Sequence, residues 1–209
     1  MPVKRSYSSA KRQAQAGETR RSILDAAYER FVAKGYAATS IQAIAERAGV
    51  AVQTVYAVFG TKRELLRQLI EATITGDGGP QPILDQPEAQ AIAAEPDARQ
   101  RARRDAAFSR AITERVAPIV RVAEEAAASD PELAAMMEAV KAARQQEMAA
   151  AATMLAGADG LRVDHDEAAA TLYVLCSPHV ATMLMSDYGW SPERYENWLA
   201  RMMLQTVFR

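Results

Sequence analysis

The stretch ATSIQAIAERAGVAVQTVYAVFGTKRELL, Ala38 to Leu66, constrains the fold more than any other, because it spells a compact helix, a glycine turn and a second short helix. Ile41, Ile44, Ala45 and Ala48 recur at the three- and four-residue spacing that aligns them on one helical face, while Gln42, Glu46 and Arg47 fall on the other. Gly49 stands where the chain must leave this helix through a left-handed conformation that is cheap only for glycine, and Val50 can then plug the corner. In the helix that follows, the apolar Val52, Val55 and Phe59 alternate with Gln53, Thr54 and Tyr56, whose polar ends suit phosphates or base edges. This spacing fits a helix-turn-helix.

The segment resembles the DNA-binding domain of the tetracycline-repressor (TetR) family of transcriptional regulators. Thr39 before Ile41, IAERAGV at Ile44 to Val50, Thr54, Tyr56 and Phe59, and Lys62 with Glu64, Leu65 and Leu66 carry the resemblance. The helix before it also fits, with Ile23, Ala27 and Phe31 at four-residue intervals, Gly35 as a stop and Tyr36 as a large apolar residue. Two positions depart from the family pattern. Ala51 stands where serine or threonine commonly caps the recognition helix, and Val58 where histidine or tyrosine often adds a backbone contact. A missing cap costs about 1 kcal/mol of helix stability, so this helix is expected to lean on packing. Near the carboxy terminus, GWSPERYENWLARMML (Gly189 to Leu204) and the helix before it, with Leu175, Ser177 and Pro178, resemble the family's last two helices.

The resemblance implies an all-α protein: a flexible basic arm at 1–17, a three-helix helix-turn-helix domain at 18–62, and a ligand-binding and dimerisation domain at 63–209. The implied function is a ligand-responsive regulator, commonly a repressor released from its operator by a small molecule. Its implied partners are an approximately palindromic double-stranded DNA operator, a small-molecule effector, and a second copy joined through the last two helices. Expected DNA contacts are Thr39, Arg47, Gln53, Thr54, Tyr56 and Lys62. The reading from another class is a helical small-molecule-binding or interaction protein whose helix-turn-helix serves only packing. Gln53, Thr54, Tyr56 and Lys62 gathered on a basic domain argue against it.

Charge is segregated: residues 1–75 hold 12 Lys and Arg against 6 Asp and Glu, whereas residues 76–209 hold 13 against 20. The basic end suits electrostatic capture of DNA, and the acidic remainder does not compete for it. The opening segment carries Lys4, Arg5, Lys11 and Arg12 among small polar residues, and it reads either as a DNA-touching arm or as a solvated tail. The lone Cys176 excludes an internal disulfide framework and suits a reduced cytoplasm. No run approaches the roughly 20 apolar residues of a membrane span, and a secretory signal's hydrophobic centre is missing, so a soluble cytoplasmic protein is expected.

Beyond Lys62 the pattern stays helical. Thr61 is a candidate cap with Glu64 as its capping-box partner, and Gly76, Gly78, Gly79, Pro80 and Pro82 break the helix they start. A short helix is expected after Pro87, then a long arginine-rich one from Asp97 to about Ala128, kinked at Pro118. Further helices are expected from Asp130 to about Ala156, before a Gly157 to Gly160 loop, then from Asp164 to Ser186 and from Ser191 to Phe208. Leu172, Leu175, Met183 and Leu184, with Tyr195, Trp198, Leu199, Met202 and Val207, serve either a four-helix dimer interface or the core of the monomer.

Catalytic, metal and cofactor constellations are not legible. Asp164, His165 and Asp166 are adjacent and read as an acidic helix start rather than a metal site, and Cys176 reads as a small core residue. Neither a phosphate loop, a nucleophile elbow nor HExxH is present, so a non-enzymatic protein without cofactor is expected. Candidate effector contacts by helical position are Phe108, Ile112, Val116, Met137, Val140, Arg144, Tyr173 and His179, with Ile119, Met136 and Met148 beside them. A plain core stripe has the same pattern, and a lone histidine is as readily satisfied by the protein itself.

Overall fold

The computed structural model describes residues 4–76, 81–156 and 160–209, with side chains from Arg12 onward. Among these residues the regular structure is helical, with a single antiparallel bridge between Leu161 and Phe208. Four helices build the amino-terminal head: α1 (Lys4–Lys34), α2 (Ile41–Ala48), α3 (Val52–Phe59) and α4 (Lys62–Thr75). The body holds α5 (Pro87–Ala93), α6 (Ala98–Ala127), α7 (Pro131–Leu155), α8 (His165–Leu175), α9 (Pro178–Thr182), which runs on as a π-helical turn at Met183–Asp187, and α10 (Pro192–Thr206).

The sequence signals explain most boundaries. Ser40 caps α2 by accepting from the Ala43 N–H at 3.1 Å, and Gly49 ends it at φ 69°. The Gly49 N–H then bonds Glu46 O and the Val50 N–H bonds Ala45 O, which is the paired closure that only a left-handed residue permits. Thr61, Asp97, Asp130, Asp164 and Ser191 each accept from the first turn of the helix they precede. At Thr61 only half of the expected capping box forms, because the Glu64 carboxylate turns instead to Arg67 and Gln68.

Two expectations are corrected. Residues from Lys4 to Gly17, expected as a flexible arm, continue α1. Alanine, arginine and glutamine are strong helix formers, and extending a helix already packed at Ile23, Ala27 and Phe31 carries no nucleation cost. The helix expected from Asp164 to Ser186 is divided at Cys176 and Ser177. Pro178 forces its predecessor out of the helical region, Ser177 adopts ψ 133°, and its hydroxyl caps α9. Pro118, by contrast, lies inside a continuous α6. The expected breaks at Gly78, Gly79 and Pro80, and most of the Gly157 to Gly160 loop, lie outside the described residues.

Two apolar cores hold the chain. The first packs Ile23, Phe31, Ile44, Val55, Phe59 and Leu65 of the head with Val116, Ile119 and Val122 of α6 and Leu133 and Met137 of α7. The second packs Ala102 and Ala106 of α6 with Ala152, Leu172, Tyr195, Leu199, Met203 and Phe208. α6 therefore runs through both. Polar ties reinforce the junction: the Arg115 guanidinium donates to the carbonyls of Thr73 and Ile74 at the end of α4, the Tyr28 hydroxyl donates to Arg115 O, and Arg63 pairs with Glu132.

Candidate DNA-binding face and the cavity behind it

α3 is packed by Val55 and Phe59 and presents Gln53 and Tyr56 outward, with Thr54 half-buried between them. Tyr56 is 51% exposed, an unusual surface for a large aromatic ring and one suited to a partner. Lys62 opens α4, where backbone N–H groups are free of helical partners and the helix dipole is positive. Its ammonium lies 4.2 Å from the centre of the Tyr36 ring, and burial lowers its pKa. Nearby, Arg67 and Gln68 donate to the Glu64 carboxylate and hold it down at about 2. The first turn of α4 thus holds a half-buried Lys62 against Tyr36 while its acid is paired within the helix.

Two expected contacts are placed differently. Thr39 is 3% exposed, and its hydroxyl lies 2.8 Å from Gly35 O and 3.1 Å from Arg30 O, so it closes the turn between α1 and α2 rather than facing outward. Arg47 is exposed but its guanidinium forks onto both Glu29 carboxylate oxygens at 2.7 and 2.9 Å. The sequence reading missed Ser40, which is exposed beside α3's partner helix and whose hydroxyl hydrogen remains available while its oxygen caps α2. A serine just before a periodic helix was the available signal. The missing cap at Ala51 is observed, with no side-chain bond to the start of α3.

Behind the head, α4 to α8 enclose a cavity of about 910 Å³. Phe108, Ile112, Val116, Val140 and Arg144 line it as expected, together with Met136 and Met148. Four expected residues do not line it. Met137 and Ile119, 3% and 0% exposed, lie in the first core; the Tyr173 ring lies under the Arg144 guanidinium at 4.1 Å; and His179 sits on the surface with Nε2 2.9 Å from Glu124. Each lies one step off the cavity-facing stripe of its element, an angle that periodicity without neighbours cannot fix. Ile70 and Ile74 of α4 also line the cavity, and Ile70 belongs at the same time to the core of the head.

The cavity's polar lining was largely missed. Asp105, Ser109 and Thr113 lie on α6 among its buried positions Ala102, Ala106 and Val116, so an acid inside an apolar stripe was the signal to be read. Burial pushes the Asp105 carboxyl up to about 7. Cys176 donates to the Ser109 hydroxyl at 3.5 Å, and burial, with Asp105 adding to it, pushes its thiol up to about 12. Glu147 is raised by burial and partly lowered by Arg144. No group of three or more His, Cys, Asp or Glu suited to a metal occurs among the described residues.

An exposed α3, an adjoining helix start that can hold a phosphate, and a chamber walled in part by that second helix define a helix-turn-helix head on a cavity-bearing helical body. Residues 23–69 match the family described as bacterial regulatory proteins, tetR family. The uncharacterized HTH-type transcriptional regulator TtgW of Pseudomonas putida is 43% identical over 60 residues, which is 29% of this chain and 45% of that protein, so the match spans less than half of this curated relative's length. Among solved structures, a TetR-family protein from Rhodococcus sp. matches at TM-score 0.65 and 19% identity over 90% of this chain and 97% of its own. NalD of Pseudomonas aeruginosa, the secondary repressor of the MexAB-OprM multidrug efflux pump, matches at 0.62 and 20% over 93% and 98%. A regulator from Saccharomonospora viridis solved with choline matches at 0.65 and 18% over 91% and 98%. Residues 23–69 thus match the family's DNA-binding domain, and the whole chain has the fold of these solved structures. No single described helix is long and apolar enough to cross a membrane.

Proposed function

We propose that the chain is a ligand-responsive transcriptional regulator, a homodimeric repressor that a small molecule in the cavity releases from an approximately palindromic operator. One observation carries this reading: α4 starts at Lys62, directly after α3, and turns Ile70 and Ile74 to the cavity along its length. A ligand that repositions α4 therefore repositions α3. NalD's role as a repressor and the choline bound to the Saccharomonospora viridis protein support the same division of labour here. Gln53, Thr54, Tyr56 and Lys62 form the centre of the contact, Ser40 adds a hydroxyl, and Arg47 assists from outside once it leaves Glu29.

The second copy docks through the outer faces of α8, α9 and α10. Leu172, Tyr195, Leu199 and Val207 are spent inside the monomer, all at most 1% exposed. Val174 and Met183, 56% and 48% exposed, with the half-buried Trp198 and Met202, supply the apolar surface instead. The alternative in which the helix-turn-helix is only a packing unit leaves the outward Gln53 and Tyr56 without a purpose.

A gel-shift assay with the DNA upstream of the chain's own gene tests the reading. Wild-type protein should retard that DNA, and a folded Tyr56→Ala, Lys62→Ala double variant should not. Equal retardation by both proteins contradicts the proposed face, and none by wild type contradicts the function.

A further inference from the structure

Asp105 is out of place in the cavity. It is 8% exposed, it lines a mostly apolar chamber beside Phe108, Ile112 and Val140, and its Oδ2 has no hydrogen-bond partner among the described residues. A buried carboxylate oxygen without a donor is strongly unfavourable, so its retention points to a partner that arrives with the ligand. Most of the other charged groups around the chamber are engaged, while Glu147 is a second carboxyl on its lining, raised by burial. Arg63 pairs with Glu132, Arg67 with Glu71, and Arg144 donates to Tyr173 O and covers the Tyr173 ring. Arg101, one turn earlier on α6, lies outside the lining, donates to Glu95 O and stands over the Phe208 ring.

Building on the regulator reading above, we propose that the cavity's effector is a lipophilic amine whose protonated nitrogen keeps at least one N–H, which it donates to Asp105 while its hydrocarbon part lies along Phe108, Ile112 and Val140. The nitrogen must carry a hydrogen because the vacant group is an acceptor. A quaternary ammonium has none to give and is instead best held by several aromatic faces, whereas Phe108 is the single aromatic side chain among the described lining residues. A carboxylate ligand would face Asp105 and Glu147 with like charge, and the Arg144 guanidinium already donates to Tyr173 O and lies over the Tyr173 ring. A neutral hydroxyl or amide can donate to the ionised oxygen but leaves its charge unmatched, giving a weaker bond than an ammonium does. The Asp105 carboxyl ionises near neutrality and the adjacent Cys176 thiol stays protonated there, so an arriving ammonium meets the Asp105 charge at little proton cost. The volume, about 910 Å³, suits a drug-sized ligand.

The test compares one hydrocarbon chain with four head groups. Decylamine, 1-decanol, decanoate and decyltrimethylammonium are titrated calorimetrically into the full-length protein at about pH 8, above the Asp105 transition, and into Asp105→Asn, a near-isosteric neutral variant. Decylamine should bind wild type at least about tenfold more tightly than decanol or decyltrimethylammonium, as a charge-assisted hydrogen bond to a buried carboxylate warrants. Asp105→Asn should abolish that preference while decanol affinity stays within about threefold, since the cavity's shape is kept. Equal binding of decylamine and decanol to wild type overturns the proposal, and so does tightest binding of decanoate. An amine preference that survives in Asp105→Asn overturns it too. The wild-type ranking decides even if the variant does not fold. Gel shifts on the same samples separate the two readings: DNA binding without amine preference removes only the ligand assignment, and amine binding through Asp105 without DNA binding removes only the regulator.

Discussion

Asp105 and Thr39 show how a single residue's meaning depends on what surrounds it. An aspartate at 105 in a helix containing several arginines reads on paper as one more surface charge; the fold turns it onto the stripe that faces the cavity and strips its solvent. Its folded pKa, about 7, lies above the ordinary value of 3.8. The folded state therefore binds more protons than the unfolded state between those values, and stability falls as pH rises from about 4 to about 7 and stays low above it. The titratable groups on the elements around it are Cys176, which stays neutral, Arg144 and Glu147 across the cavity on α7, and the buried Tyr195 of α10. Asp105→Asn should flatten this dependence and, at about pH 8, stabilise the ligand-free protein by up to a few kcal/mol in urea unfolding. A pH profile identical to wild type would show that another group carries the titration. Thr39 illustrates the opposite case: the motif located the residue correctly, but its role is internal, because its hydroxyl is consumed by Gly35 and Arg30 carbonyls.

Among the elements, α3 combines a role at the surface with a local defect. Ala51 has the extended backbone of an N-cap, φ −71° and ψ 148°, but no side-chain oxygen to satisfy the helix start. Ala51→Ser should raise the stability of the head by about 0.5 to 1 kcal/mol without lowering operator affinity, measured by thermal unfolding and by anisotropy. A destabilised Ala51→Ser protein would mean that the cap geometry is not free to accept the hydroxyl. Most helices were legible in the sequence because caps, prolines and three- to four-residue periodicity are local signals. α1's extension to Lys4 was not legible, because a polar alanine-rich stretch has no apolar period and becomes helical only by continuing a helix that is already anchored. The division at Ser177 was legible in Pro178, yet the surrounding apolar run masked it. Facing angles were the least legible feature. Phe108, Ile112 and Val140 meet the cavity while Met137 and Tyr173, on the same helices or beside them, do not.

At the scale of the whole molecule, the acidic body and basic head become one device because α4, α6 and α7 share a core with the reading unit. The dimer proposed through the outer faces of α8, α9 and α10 predicts a clear contrast. Val174→Asp with Met183→Asp should leave helicity intact, yield a monomer in analytical ultracentrifugation and weaken operator binding, because paired half-sites need paired heads. Leu199→Glu should instead unfold the body, since it buries a charge at a fully enclosed position. A Val174→Asp, Met183→Asp protein that still sediments as a dimer would exclude this interface. Coupling through α4 has its own expectation: an effector that weakens DNA about 5- to 150-fold must itself be weakened by DNA to the same extent.

The central claim is that α3 reads bases while the start of α4 holds a phosphate, and an anisotropy titration of an upstream operator fragment at several salt concentrations tests it most directly. Wild-type affinity should fall linearly with the logarithm of salt; Lys62→Ala should weaken specific and unrelated DNA alike and reduce that slope by about 1; Gln53→Ala should keep the slope and lose about 1 to 3 kcal/mol on the operator alone. Salt slopes and operator preferences that stay unchanged in both variants would contradict it.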